Sequence, residues 1–423
     1  MNHETPGWLG MLAVFGRIGL LSFGGPAAQI ALMHRVLVDE QGWLEEKQFL
    51  NALSFCMLLP GPEAMQLATY SGWRLRGVPG GLLAGLLFVV PGAAVVLLLA
   101  ITYMALGHVP LMQWIFLGIK AAVLVIVIEA LLRVARKALE AAIHWWIAGL
   151  AFVAIFFFGA PFPAIVLLSG AAGFLFIGRG LTEAPKGDQK TTTITATLGT
   201  IFLWLVLWWA PILLLALTGA EEVLIQLGNF FSRLAVVTFG GAYAVLAYLA
   251  QDVVVQHGWL TAGEMMDGLG LAETTPGPLI LVTEFVGYIA AYRAGGVGLG
   301  IIGALVTLWV TFVPCFLWIF AGAPYIERIT AQPRLKGALV AITAAVVGVI
   351  LNLSLWFCFH VLFSTLENRQ IGPLHLLIPE WGTLDWRVVL IGVVCAGMLL
   401  WKHQSLFKTL CVAGLMGVAL NLL

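Results

Sequence analysis

The sequence predicts an all-α polytopic membrane protein, with about thirteen transmembrane elements in two repeats of inverted topology. Three observations lead to this prediction. Of the 423 residues, 61% are hydrophobic and 10% are charged, which is more apolar surface than a water-soluble fold can cover. The apolar runs are continuous, for example 81–106 and 110–132, whereas the strands of a membrane barrel would alternate apolar and polar residues. The third observation is an internal repeat.

The thirteen elements follow from length, because a spanning helix needs about 20 apolar residues. In chain order they lie near 8–38, 48–73, 79–106, 110–139, 143–159, 161–178, 198–218, 222–254, 262–292, 295–323, 333–364, 387–401 and 405–423. Glycine and proline interrupt the first, second, eighth and ninth of them. The stretch 179–196 is polar and aperiodic, as linkers are. The predicted domains are therefore an N-terminal repeat (1–178), a linker with one connecting helix (179–221) and a C-terminal repeat (222–423).

The internal repeat becomes visible when the sequence is compared with itself at an offset of 216 residues. The matching segments are FGRIGLLSFGG (15–25) with FSRLAVVTFGG (231–241), GWL (42–44) with GWL (258–260), and PGP (60–62) with PGP (276–278). Arg17 thereby aligns with Arg233. Glycine and proline enrichment alone would scatter such matches over several offsets, so the two halves are related repeats.

Basic residues predict the orientation, because cytoplasmic loops collect Lys and Arg. Alternate loops are basic, and they hold Arg74, Arg76, Arg133, Arg136, Lys137, Arg179, Lys186, Lys190, Arg328, Arg334, Lys336, Lys402 and Lys408. The segment 365–386 is expected outside. This arrangement places the N-terminus in the cytoplasm and the C-terminus in the periplasm, with the two halves inserted upside down relative to each other. Inverted repeats are typical of transporters, because they supply two opposite-facing states.

Other classes of function find little support in the sequence. Equal numbers of basic and acidic residues, 21 of each and without a basic tract, give no indication of nucleic-acid binding. The five cysteines lie in apolar segments without metal spacing, so we expect no metal site. No cofactor motif is recognised, so we expect neither a cofactor nor an enzyme. The first residues lack the basic region of a cleaved signal. The sequence leaves a homodimer open.

The interrupted helices hold the residues best suited to binding an anion. Gly-Gly-Pro and Pro-Gly-Pro are typical starts of half-helices, because proline is tolerated in a first helical turn. Each start exposes free N–H groups and the positive end of a helix dipole, which bind phosphate-like and sulfate-like anions. The predicted substrate-binding residues are Arg17, Gly24, Gly25, Pro26, Gln29, Pro60, Gly61, Pro62, Gln66, Arg233, Gly240, Gly241, Pro276, Gly277 and Pro278.

The two aligned arginines have alternative roles. A guanidinium donates paired hydrogen bonds and keeps its charge, which suits a dianion. The arginines could instead pair with Glu63 or Glu284 and staple helices together, or extend to the membrane interface. His34 could carry protons or contact an anion, or could lie at an interfacial helix end.

Four segments resemble the signatures of the chromate ion transporter family in its long two-domain form. They are FGRIGLLSFGGPAAQIALMHR, LPGPEAMQLATYSGW, VVTFGGAYAVLAYLAQ and LAETTPGPLILV. The resemblance covers about 10–110 and 225–320. It implies a bacterial inner-membrane protein that exports chromate with the proton gradient as energy source, with sulfate as the competing anion. The residues alone indicate only an oxyanion, so transport of another oxyanion, or import, stays open.

The resemblance also implies functional positions. These are Arg17, Phe23, Gly24, Gly25, Pro26, Pro60, Gly61, Pro62, Glu63, Gln66, Gly240, Gly241, Thr275, Pro276, Gly277 and Pro278. The chain departs from many relatives at Gln29, where they carry His, and at Glu284, where they carry Gln. Export against a gradient needs an energy source, so we expect a proton-coupling group. Glu63 is the favoured one, and Glu284 and His34 are further candidates.

Overall fold

The computed structural model describes residues 6–178, 194–239 and 242–422, most of which are α-helical. The α-helices are α1 (Trp8–Leu21), α2 (Gly25–His34), α3 (Glu46–Cys56), α4 (Glu63–Leu106), α5 (Pro110–Ala138), α6 (Ala142–Phe158), α7 (Phe162–Ala172), α8 (Ile194–Leu217), α9 (Glu222–Val237), α10 (Ala242–Gln251), α11 (Ala262–Thr274), α12 (Val282–Gly322), α13 (Ile326–Thr330), α14 (Pro333–Leu362), α15 (Trp386–Ala396) and α16 (Leu406–Leu422). Short π-helical turns extend α2, α7, α10 and α15. The predicted linker residues 179–193 lie outside the described part of the chain.

A β-hairpin interrupts this helical order between α14 and α15. Its strands, β1 (Leu366–Ile371) and β2 (Leu374–Pro379), pair antiparallel. Gly372 opens the two-residue turn with a φ of +60°, a value that glycine adopts without a steric penalty. Residues 365–386 are predicted to be an external loop, so the two strands are a local difference from the prediction.

Several helices are long and apolar enough to cross a membrane. Within the described residues they are Glu63–Leu106, Pro110–Ala138, Ile194–Leu217, Leu279–Thr330 and Pro333–Leu362. Shorter apolar helices, such as α1, α6 and α16, accompany them. The prediction of a helical, multi-pass membrane protein is thereby confirmed. The count of thirteen elements and their inverted arrangement remain predictions.

The two longest helices each fold back on themselves. In α4 the backbone leaves helical geometry at Arg76 and Gly77, and a Cβ atom on Gly72 would lie only 2.2 Å from the carbonyl oxygen of Gly80. In α12 the same pair of non-helical conformations occurs at Gly295 and Gly296. The predicted gap between the second and third elements contains the first of these turns, and the predicted gap between the ninth and tenth elements, 293–294, directly precedes the second.

The first compact unit contains 1–100, 178–242 and 275–336, and so draws on both predicted repeats. Within it, α8 packs against α12 and α9 through two tryptophans. The Trp204 ring lies 5.6 Å from the Phe316 ring, centroid to centroid, and Trp208 Nε1 donates a hydrogen bond to Ser232 Oγ at 3.2 Å. The predicted domain boundaries follow the sequence repeat instead of spatial contacts, and they stay predictions.

The second compact unit contains 101–177, 243–274 and 337–423. Helix α5 packs against α11, α15 and α16. A Cβ atom on Gly118 of α5 would lie 1.9 Å from the carbonyl oxygen of Ala413 in α16. Glycine therefore allows the two backbones to approach closely, as small residues do between membrane helices.

Candidate functional site

The first helix break lies between α1 and α2. Helix α1 ends at Leu21, and the buried Ser22 hydroxyl donates back to the carbonyl oxygen of Ile18 at 2.6 Å. Gly24 and Gly25 have φ angles of +85° and +80°, which side chains with a Cβ atom rarely adopt. Helix α2 then begins with a proline in its first turn, as predicted from Gly-Gly-Pro.

The second break lies between α3 and α4. Gly61 has a φ of +119°, and a Cβ atom there would lie 2.8 Å from Gln66 Nε2 and 2.9 Å from Cys315 Sγ. The side chain of Gln66 folds back, and its Nε2 donates to the carbonyl oxygen of Pro60 at 2.7 Å. Helix α4 begins at Glu63. Gln66 therefore stabilises the break from within its own helix.

The second repeat contains the corresponding breaks. Helix α9 ends at Val237, and the Thr238 hydroxyl donates to the carbonyl oxygen of Leu234 at 2.5 Å, as Ser22 does in the first repeat. Gly240 and Gly241 lie outside the described residues. At the other break Gly277 has a φ of +93°. A short 3-10 turn, Leu279–Leu281, then precedes α12.

Reciprocal backbone hydrogen bonds join the breaks of the two repeats. The N–H of Gly61 donates to the carbonyl oxygen of Thr238 at 2.8 Å, and the N–H of Gly277 donates to the carbonyl oxygen of Ser22 at 2.8 Å. Ser22 and Thr238, and likewise Gly61 and Gly277, are separated by the repeat offset of 216 residues. Each repeat thus holds a break of the other. We call this arrangement the helix-break crossing.

Gln29 reinforces one side of the helix-break crossing. Its Nε2 atom donates to the carbonyl oxygens of Gly277 at 2.7 Å and Ser22 at 3.2 Å. Three buried acceptors, Gln29 Oε1, Gln66 Oε1 and Glu284 Oε2, have no hydrogen-bond partner within the described part of the chain. A buried carboxylate oxygen without a hydrogen-bond partner is costly in its charged form.

The structure leaves both predicted arginines exposed and His34 half-buried. Arg17 is exposed, and its Nη1 atom lies 3.1 Å from Glu40 Oε2. The partner of Arg17 is therefore Glu40, which follows α2. The stapling alternative predicted Glu63 or Glu284 as the partner instead. Arg233 is exposed on α9. His34 lies beside Glu46, with 2.5 Å between Nε2 and Oε2.

The second compact unit holds buried charged groups that the sequence analysis missed. Tyr103 donates to Asp267 Oδ2 at 2.9 Å, and Lys120 Nζ lies 3.7 Å from the same oxygen. Glu273, near the end of α11, accepts a hydrogen bond from Tyr243 of α10, with 2.7 Å between the hydroxyl and Oε1. Acidic residues inside a helix rich in glycine and methionine indicate buried, paired charges. Their basic and tyrosine partners lie far away in the sequence, so the pairs could not be predicted.

Known proteins match this chain over most of its length. A family model described as chromate transporter matches residues 9–174 and 225–418. A probable chromate transport protein of Synechococcus elongatus is 29% identical, covering 92% of this chain and 94% of the relative. Chromate transport proteins of Cupriavidus metallidurans and Pseudomonas aeruginosa are 29% and 32% identical, covering 96% and 80% of this chain and 90% and 78% of the relatives. No solved structure matches the chain significantly.

Proposed function

The chain belongs to the chromate transporter family, and on this premise we propose that it exports chromate from the bacterial cytoplasm through the inner membrane. The relatives are named as transport proteins, which supports a transporter rather than an enzyme. Sulfate is the anion expected to compete, because it has the same tetrahedral shape and charge. The proton gradient supplies the energy.

The observation that carries this proposal is the helix-break crossing. Helices that stop inside a membrane leave backbone groups without partners, which is tolerated where those groups are buried in protein or line a polar site. The two reciprocal hydrogen bonds, Gly61 to Thr238 and Gly277 to Ser22, hold such breaks from both repeats together. An exchange of these bonds between two nearly equivalent arrangements would supply the inward-facing and outward-facing states of alternating access.

The anion binds at the starts of the half-helices. The amides of Gly61 and Gly277 are already used in the crossing, and Pro26 and Pro62 have no N–H. The amides left for oxyanion oxygens are therefore those of the first turns that follow these prolines, at the positive ends of α2 and α4. Arg17 and Arg233 contribute positive charge from the edge of the site.

Electrical work favours the outward direction. A membrane potential of 100 mV, negative inside, favours the exit of one elementary charge by about 2.3 kcal/mol, and so the exit of a dianion by about 4.6 kcal/mol. Inward movement of a proton adds to this driving force. The coupling carboxyl is Glu63 at the start of α4 or the fully buried Glu284 on α12.

Chromate accumulation in inverted membrane vesicles tests the role of Arg17. Arg17→Ala should abolish accumulation, whereas Glu40→Ala, which removes only the partner of Arg17, should retain it. Equal losses in the two variants would indicate a helix staple, and wild-type accumulation in both Arg17→Ala and Arg17→Lys would refute the arginine role.

The same vesicles test direction, cargo and coupling. Sulfate should compete with chromate, and accumulation should stop when the proton gradient is collapsed. Glu63→Gln should remove that dependence on the gradient. If Glu63→Gln still exports chromate and still responds to the gradient, Glu63 is not the coupling group. Accumulation in right-side-out vesicles instead would identify an importer.

A further inference from the structure

The second compact unit contains a cavity that the helix-break crossing does not use. Its volume is about 560 Å³, and residues of α6, α14, the β-hairpin and the end of α10 line it. A water molecule occupies about 30 Å³ of the liquid. The cavity therefore has room for a small ion together with several waters.

One wall of the cavity is a polar face of α14. Asn352, Trp356 and His360 line the cavity and are spaced four residues apart, so they share one side of the helix. His360 Nδ1 lies 2.8 Å from the carbonyl oxygen of Trp356, so Nδ1 carries the hydrogen in this bond. The helix around them is apolar enough to span a membrane, where polar groups facing lipid are costly. The cavity accounts for a polar face in this helix.

The other lining residues add hydrogen-bond donors and a fixed positive charge. Gln251 lies at the end of α10, Arg369 on β1 and His375 on β2, and all three line the cavity. None of the described residues that line it is an aspartate or a glutamate. The Arg369 guanidinium repels a cation, and its charge together with side-chain N–H donors and no lining carboxylate favours an anion with several acceptor oxygens.

We propose that this cavity is a second binding site, which takes a tetrahedral oxyanion such as sulfate or chromate. Arg369 supplies the charge, and the side-chain amides of Asn352 and Gln251 donate to the oxygens. The phosphate of a lipid headgroup offers the same chemistry, and the experiment below separates the two sources. The site does not depend on the helix-break crossing, because it is formed by other residues in the other compact unit.

Calorimetric titration of sulfate into the full-length protein, in detergent freed of phospholipid, measures sulfate binding at the cavity together with any binding at the half-helix starts, and substitutions of residues that line only the cavity isolate its share. Arg369→Gln should weaken binding about tenfold, because it removes the fixed charge and its paired donors. Asn352→Leu keeps the side-chain volume but loses the amide, and should weaken binding about fivefold. Lys402→Gln removes one positive charge from an exposed residue that does not line the cavity, and as matched control should bind as the wild type does.

Added phosphatidylglycerol identifies the natural occupant. Sulfate binding that persists in its presence indicates a free oxyanion, and sulfate binding that the lipid abolishes indicates a headgroup phosphate; both support an oxyanion site. Wild-type affinity in both Arg369→Gln and Asn352→Leu would overturn the proposal, as would the absence of binding by either ligand. Because the titration does not measure transport, its result stays readable even if chromate export fails in vesicles.

Discussion

Gly92 provides a sharp test of whether the position of a helix break controls transport. It lies in α4, and a Cβ atom there would be 2.1 Å from the carbonyl oxygen of Pro276 in the second repeat. Real Cβ contacts are almost never shorter than 3.0 Å. In Gly92→Ala the break around Gly277 must therefore retreat by about 1 Å from its position in the crossing.

The expected magnitudes separate a local effect on the helix from an effect on the site. Alanine stabilises a helix by about 0.5–1 kcal/mol relative to glycine, whereas overpacking costs about 1–3 kcal/mol. The protein should therefore lose at most about 2.5 kcal/mol and still fold. A misplacement of about 1 Å can reduce the rate of a positioned reaction roughly 100-fold, so chromate transport should fall far more than stability does.

The assay is initial-rate chromate accumulation in inverted vesicles, normalised to the amount of folded protein recovered by size-exclusion chromatography. Gly298→Ala is the matched control, because Gly298 also lies in a helix and no atom lies within 4 Å of a Cβ placed there. We expect Gly298→Ala to transport as the wild type does. Wild-type transport by Gly92→Ala, at normal recovery, would refute the idea that this contact positions the break.

Three further changes test other contacts. Gln29→Leu removes the amide that donates to the carbonyl oxygens of Gly277 and Ser22. The free energy of unfolding should fall by about 1–3 kcal/mol, which thermal unfolding in detergent would detect as a lower midpoint. An unchanged midpoint would contradict the role of Gln29 in stabilising the crossing. Glu284→Gln keeps the shape of the buried group without its proton exchange, and chromate accumulation should lose its dependence on the proton gradient if this carboxyl couples transport. Asp385 caps α15, and its hydrogen bonds with the Arg387 side chain lower the pKa of Asp385 below its ordinary value of 3.8. This stabilisation is therefore present above that value and is lost as the pH falls through the folded-state pKa. Asp385→Asn keeps a capping side chain but loses the charge that bonds to Arg387, and it should lower the free energy of unfolding by about 1 kcal/mol at pH 7; this loss, measured by thermal unfolding, should shrink below pH 3.8.

Much of the fold could be predicted because its causes are local. A continuous apolar run predicts a membrane helix wherever it occurs, because lipid requires every backbone group to be paired within the segment. Gly-Gly-Pro and Pro-Gly-Pro predict the breaks before Pro26 and Pro62, because these residues restrict or free the backbone at their own positions. The hairpin at 366–379 was missed, since its strands are short and half exposed and carry a weaker pattern.

The sequence by itself determined the membrane class, the repeat offset and the places where helices stop, since each is encoded in composition or in neighbouring residues. Only the tertiary structure decided which groups meet. Gly61 bonds to Thr238, Arg17 pairs with Glu40, and Lys120 approaches Asp267. Hydrogen bonds and ion pairs act over a few ångströms, so a partner that is distant in the sequence is chosen by the packing of the helices that carry the two groups.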